Sequence, residues 1–123
     1  MKPFAIALLV ASLGVAGCAA PRGDYDWGKY EELLYASYKD AANAGQMRVN
    51  LETHIAAVEA SNGRVAPGLY AELGTLYLEA GDSDRAIALF TKERDAWPES
   101  KGLMDAMIAA LERRRPSQAE VQQ

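Results

Sequence analysis

The sequence is poor in the residues on which most catalytic and metal-binding sites depend. It has one Cys and one His among 123 residues, so disulfide frameworks and Cys/His metal sites lack ligands. Its net charge of −4 has the wrong sign for nucleic acid, because phosphate binding needs clustered Lys and Arg. At this length there is room for one small domain. We expect a protein that is not an enzyme and has no metal, no cofactor and no nucleic-acid partner.

Half of the residues are apolar and 24% are charged, which is typical of a globular chain. The apolar residues are concentrated at the start, where a run from Phe4 to Leu13 follows the basic Lys2 and precedes small residues. That order is typical of a secretory signal. At ~1.5 Å per residue, so short a run barely crosses a ~30 Å hydrocarbon core. The sequence therefore predicts a signal peptide over residues 1–17.

The single cysteine ends this apolar run. The segment from Val15 to Cys18 resembles the lipobox of bacterial lipoproteins, which implies that the leader is removed and that Cys18 becomes the lipidated first residue. Several acyl chains would anchor the chain firmly, whereas one gives only marginal binding. Ala19, and not Asp, follows the cysteine. This resembles the sorting pattern of lipoproteins that are sent to the periplasmic face of the outer membrane. The alternative is an incidental cysteine in an ordinary signal peptide.

After a short tether at residues 18–23, the apolar residues recur at helical spacing and β-branched residues are sparse. The pattern predicts an all-α domain over residues 24–115 and a flexible tail at 116–123. Five helices packed in an antiparallel array are expected, at 26–43, 46–61, 67–80, 83–97 and 101–115.

The helix boundaries follow from residues that favour caps and turns. Asn62 and Gly81 tolerate positive φ and end the second and third helices. Asp82 or Ser83 caps the fourth helix, and Ser100 caps the fifth. Short loops then place successive helices side by side.

Residues 67–100 resemble one tetratricopeptide repeat, with its 34-residue period. The signature positions are Tyr70, Leu73, Gly74, Tyr77, Ala86, Phe90 and Pro98. The resemblance implies two helices that cross closely at Gly74 and Ala86, capped by the fifth helix. A degenerate copy of the repeat lies 39 residues earlier. Because a single repeat does not bury its own faces, two hairpins and the capping helix are expected to pack together. Glu93 stands where the family usually has Ala, which puts close packing against the following helix in doubt.

Aromatic residues are concentrated just after the tether. Trp27, Tyr30, Leu34 and Tyr38 share one helical stripe, which predicts core packing. The alternative is a recognition patch in which Tyr35, off that stripe, is exposed together with Tyr25.

Three stretches are similar to a family of small uncharacterised bacterial lipoproteins, a domain of unknown function. They are the Tyr-x-Trp-Gly-x-Tyr start at 25–30, the Pro-Gly-Leu segment at 67–77 and the Trp-Pro-Glu-Ser ending at 97–100. Family members have no assigned activity. They are often encoded near other lipoproteins, including one that resembles the curli secretion channel, which implies a shared envelope assembly.

Other polar residues favour structural roles. His54 lies beside an apolar stripe and is interpreted as a boundary residue rather than a base. Glu52, Glu59, Glu72 and Glu79 are interpreted as parts of solvated helix faces and not as a carboxylate pair. The arginines at 113–115 complement the dipole of the last helix, with contact to anionic lipid headgroups as the alternative.

Partner contact is expected on the inner face of the repeat. The candidate residues are Tyr35, Ala71, Thr75 and Leu78. The sequence predicts a noncatalytic interaction module or scaffold in an envelope assembly, held to the membrane through Cys18. Its expected partners are other envelope lipoproteins or secretion components, with a homodimer as a further expectation. The alternatives are a periplasmic chaperone or pilotin that escorts a secreted subunit or channel, and a regulator of a cell-wall enzyme.

Overall fold

The computed structural model describes residues 23–115. The predicted signal peptide, lipidation at Cys18 and the 116–123 tail lie outside these residues. The described part is all-helical, which confirms the predicted fold class. Its five α-helices are α1 Tyr30–Lys39, α2 Ala44–Ala60, α3 Leu69–Glu79, α4 Ser83–Ala96 and α5 Lys101–Arg114.

Helix α1 is much shorter than the predicted 26–43. It ends at Lys39 because Asp40 is extended, with φ −148°, and the Asp40 carboxylate accepts a hydrogen bond from the Ala42 amide at 3.0 Å. A 3-10 turn at Ala41–Asn43 then leads into α2. Gly28, with φ +56°, keeps the residues before Tyr30 out of the helix. The other four helices begin and end within two residues of their predicted bounds.

Local turn chemistry sets most of the remaining boundaries. The Asp82 carboxylate accepts a hydrogen bond from the Arg85 amide at 3.0 Å and so caps α4. Asn62 and Gly81 have φ 55° and 85°, in the left-handed region predicted for them. The predicted cap at Ser100 is wrong, because its hydroxyl bonds no amide of α5.

The helices pack in chain order, α1 on α2, α2 on α3, α3 on α4 and α4 on α5. One buried cluster is formed by α2, α3 and the loop between them, and Leu33 of α1 packs against it. A second cluster joins α4 to α5 through Phe90, Met104 and Ile108. Burying each such side chain contributes about 1.5–3 kcal/mol. Within residues 23–115, α1 and α5 are therefore the two edges of the array.

Helices α3 and α4 approach most closely at Gly74. A Cβ atom there would lie 2.7 Å from Phe90 Cε1 and 3.3 Å from the Ala86 carbonyl oxygen. Ala86 and Phe90 are fully buried, and Tyr77 is buried beside them. Only a residue without a side chain allows this approach.

Glu93 is the buried charged residue of the described core, with 1% of its surface exposed. Its Oε1 accepts a hydrogen bond from the Gly68 amide at 2.8 Å and another from the Ser100 hydroxyl at 3.1 Å. Gly68 precedes α3 and Ser100 precedes α5. The carboxylate therefore links the starts of α3 and α5 to α4. An alanine at position 93 would have no polar group to make these bonds.

Candidate interaction surface

The segment that leads into α1 is fixed to the far end of α4 and to α2. The Tyr25 ring lies edge-on to Trp97, with centroids 5.3 Å apart. His54 Nε2 donates a hydrogen bond to the Asp26 carbonyl at 2.8 Å. The Arg64 guanidinium lies 3.8 Å from the centre of the Trp97 ring, a favourable cation–π geometry. Tyr25 is thus half-buried, and the alternative that exposed it beside Tyr35 is wrong.

His54 also fits closely against the turn before α1. A Cβ on Gly28 would lie 2.7 Å from His54 Nδ1. The imidazole is half-buried and one nitrogen bonds the Asp26 carbonyl. This placement agrees with its interpretation as a boundary residue.

The predicted core packing of Trp27, Leu34 and Tyr38 is wrong. Trp27 precedes the helix and is exposed, while Leu34 and Tyr38 are 43% and 88% exposed. The prediction is confirmed for Tyr30, which packs against the first cluster together with Leu33. Because α1 has apolar residues on both sides, the helical period of the sequence identifies two apolar stripes. It does not show which of them packs against the core.

The opposite side of α1 carries an exposed row of side chains, here termed the outer stripe of α1. Its members are Glu31, Leu34, Tyr35 and Tyr38. Tyr35 is 61% exposed, and Lys39 Nζ lies 4.6 Å from the centre of its ring. The spacing of these four residues places them on one side of the helix, and the three apolar members are all exposed.

Acidic side chains precede, follow and interrupt this stripe in the sequence, and they are here termed its acidic rim. Residues 24–40 contain five carboxylates and two lysines. Glu31 and Glu32 form no ion pair with any other residue of 23–115. The surface therefore combines exposed aromatic area with negative charge.

The structure does not gather the four predicted contact residues on one open surface. Ala71 and Leu78 are half-buried and pack against the second cluster, to which α5 contributes. The Thr75 hydroxyl donates a hydrogen bond to the Ala71 carbonyl at 3.0 Å. Ala71, Thr75 and Leu78 are half-buried, so Tyr35 is the exposed member of the set.

A groove between α2 and α4 is lined by a set of hydrogen-bonded side chains that the sequence did not indicate, here termed a polar group. The Tyr77 hydroxyl donates a hydrogen bond to Glu52 Oε1 at 2.7 Å. Arg85 Nη1 donates to the Tyr77 hydroxyl at 3.1 Å. Each of these three residues comes from a different helix, so the group links α2, α3 and α4.

The same group recurs two helical turns away. The Tyr70 hydroxyl and Lys92 Nζ both donate to Glu59 Oε1, at 2.7 and 2.8 Å. The bonds from Lys92 and Tyr70 lower the pKa of the Glu59 carboxyl, while burial and then Glu59 raise the pKa of the Tyr70 hydroxyl. Seven-residue spacing on all three helices was the available signal, and Glu52 and Glu59 are not merely solvated as predicted.

Between the two polar groups the groove has an apolar floor that includes Ile55, Leu73 and Leu89 and encloses about 320 Å³. Lys92 is paired with Glu59, while Glu52 and Arg85 are each bonded to the Tyr77 hydroxyl. The groove can therefore accept a small apolar group between two polar groups whose charged side chains already have hydrogen-bond partners.

At the other edge of the array, Arg115 forms an ion pair with Asp84 of α4. Arg113 and Arg114 are exposed in the last turn of α5, where cations complement the helix dipole. This placement agrees with their interpretation as a helix-end cluster.

Within residues 23–115, no three His, Cys, Asp or Glu side chains are placed to hold a metal ion. No helix of this part is long and apolar enough to span a membrane. No curated protein and no solved structure matches the chain significantly. Residues 25–107 match the sequence model of a protein family that is described as a domain of unknown function (DUF4810). The chain belongs to this family, and the match runs from Tyr25 into α5.

Proposed function

We propose that this member of the DUF4810 family is a noncatalytic interaction module, which joins a cell-envelope assembly through the outer stripe of α1. The observation that carries the proposal is the exposure of Leu34, Tyr35 and Tyr38 on an edge helix. Contiguous exposed apolar side chains mark interaction sites on soluble domains. Tyrosine is favoured at such sites because it pairs a large apolar ring with a polar tip.

The proposal includes a lipid anchor at Cys18, on the periplasmic face of the outer membrane. Its support is the likeness of residues 15–18 to a lipobox. Tyr25 lies seven positions after Cys18, a distance of at most about 25 Å. The anchor would hold α1 close to the membrane and raise its effective concentration towards other envelope lipoproteins or secretion components.

We further propose that the array is tetratricopeptide-like, with α5 as the capping helix. The support is the close crossing of α3 and α4 at Gly74 and Phe90, together with the 34-residue spacing of the signature. Such arrays bury their cores only by stacking, and terminal helices usually turn a polar face outward. An apolar outer face on α1 is therefore a feature to be explained by binding.

A scaffold is favoured over a chaperone or pilotin by the size of the concave sites. The groove between α2 and α4 encloses about 320 Å³, near the lower limit for sites that bind small molecules. A segment of an unfolded subunit needs a longer apolar channel. The exposed stripe on α1 suits a folded partner surface instead.

Site-specific photocrosslinking tests the binding surface. A photoreactive residue in place of Tyr38, in native envelopes, should yield a discrete adduct, and Leu34→Asp should abolish it. The matched control places the same residue at Glu99, which is exposed in the turn before α5. No adduct from position 38, or equal adducts from both positions, would refute the proposal.

The anchor has its own test. Cys18→Ser should eliminate fatty-acid labelling and release the chain from the outer-membrane fraction, with helical content unchanged. Persistent labelling of that variant would contradict the assignment of Cys18 while leaving the crosslinking result intact.

A further inference from the structure

The outward side of α5 differs from that of α1 in both size and charge. Met104, Ile108 and Leu111 face the core, so the opposite side carries a row here termed the outer stripe of α5. Its members are Leu103, Ala106, Ala110 and Arg113. Leu103 is 64% exposed and the two alanines are small, so another helix can approach closely.

The two edges of the array carry opposite charge. Residues 101–115 contain four basic and two acidic side chains, whereas residues 24–40 contain five acidic and two basic ones. Arg113 and Arg114 make no ion pair with another residue of the described part. Complementary potentials of this kind favour and orient association.

The spacing of the two stripes also matches. Positions 31, 34 and 38 on α1 repeat in reverse order as positions 113, 110 and 106 on α5. With the helices antiparallel, Glu31 faces Arg113, and Tyr38 faces Ala106. A large side chain then meets a small one, and an acid meets a base, along two turns of each helix.

We infer that the outer stripe of α1 docks, antiparallel, on the outer stripe of α5 of a second copy of this chain. The inference rests on the proposed function, in which the outer stripe of α1 is a binding surface. Successive helices pack side by side along the array, and α1 of the second copy supplies the next helix after α5. Since the two patches differ, the contact is heterologous, and copies add in series.

Two other occupants fit the charges less well. Two copies joined through α1 alone would bring acidic rims together, and like charges at an interface are costly. An anionic lipid surface would meet the same carboxylates. A head-to-tail contact pairs each rim with its opposite.

Disulfide trapping in native membranes tests the inference on the full chain, whose natural cysteine is Cys18. One tagged copy carries Tyr38→Cys and a second, differently tagged copy carries Ala106→Cys. Under mild oxidation, a mixed disulfide should form only when both are co-expressed. The parent chain, each variant alone, and Tyr38→Cys paired with Glu99→Cys should remain uncrosslinked.

Each other outcome overturns the inference. A disulfide in Tyr38→Cys alone would show face-to-face pairing of α1. The absence of any disulfide would exclude self-association by this surface, and a photocrosslink from position 38 to a different protein would then leave the proposed function standing. Absence of both products would remove both proposals.

Charge reversal tests the register. Arg113→Glu with Arg114→Glu should lower the mixed-disulfide yield about fivefold, given the usual energies of exposed pairs. Glu31→Lys with Glu32→Lys in the other copy should restore it. A mixed-disulfide yield that changes with neither set of substitutions would refute the antiparallel alignment.

Discussion

Replacing Glu93 by alanine should lower the free energy of unfolding by about 2–4 kcal/mol. The carboxylate accepts hydrogen bonds from the Gly68 amide at 2.8 Å and the Ser100 hydroxyl at 3.1 Å, and each bond to a charged acceptor contributes about 1.5–3 kcal/mol. Removing the charge offsets part of this loss, because a buried carboxylate is costly to desolvate. The net loss corresponds to a fall in Tm of at least about 8 °C for a domain of this size.

Urea unfolding followed by far-ultraviolet circular dichroism measures this loss, with an unchanged slope as the check on two-state behaviour. Glu93→Gln keeps an acceptor for the Gly68 amide and removes the charge, so we expect its stability to stay within about 1 kcal/mol of the parent. The matched control is Glu112→Ala, on an exposed site of α5, with a change of less than about 0.5 kcal/mol. The reasoning fails if Glu93→Ala is as stable as this control.

Three further perturbations have defined outcomes. Lys92→Ala should raise the pKa of the Glu59 carboxyl, which is lowered in the folded chain. Ionised Glu59 stabilises the fold, so on acidification this variant should lose that stabilisation at a higher pH than the parent. An unchanged NMR titration of Glu59 would contradict this. Burial raises the pKa of Glu72, so its ionisation opposes folding, and Glu72→Gln should raise the urea midpoint at neutral pH; a lower midpoint would count against it. Gly74→Ala should cost about 1–3 kcal/mol by overpacking, whereas Gly102→Ala, with open space around it, should gain up to about 1 kcal/mol from helix propensity; equal thermal shifts would contradict the crossing geometry.

Helix bounds were predictable where the determining residues are local. Asp82 caps α4 and Gly81 reverses the chain whatever surrounds them, so four helices lie where the pattern places them. Helix α1 was mispredicted because its start depends on a neighbour in space and its end on a local turn that the apolar pattern does not indicate. Gly28 adopts positive φ against the His54 ring, and Asp40 leaves the helix to start a turn.

The surface was harder to predict for the same reason. A helix with apolar residues on both sides has two stripes, and only the packing of Tyr30 and Leu33 shows which one is covered. The polar groups over the groove join residues far apart in the chain, such as Tyr77 and Glu52. Their recurrence at seven-residue intervals is visible in the sequence only once α2, α3 and α4 are known to be neighbours.

The contact between Tyr25 and Trp97 determines how tension on the tether would travel through the domain. A pull on the chain before residue 23 would load the end of α4 through the edge-on contact of the two rings, and α2 through the bond between His54 and Asp26. Helix α1 lies beyond both attachments along the chain and so outside the path of the force. Its exposed face would keep its shape under load until both the ring contact at Trp97 and the bond at Asp26 are broken.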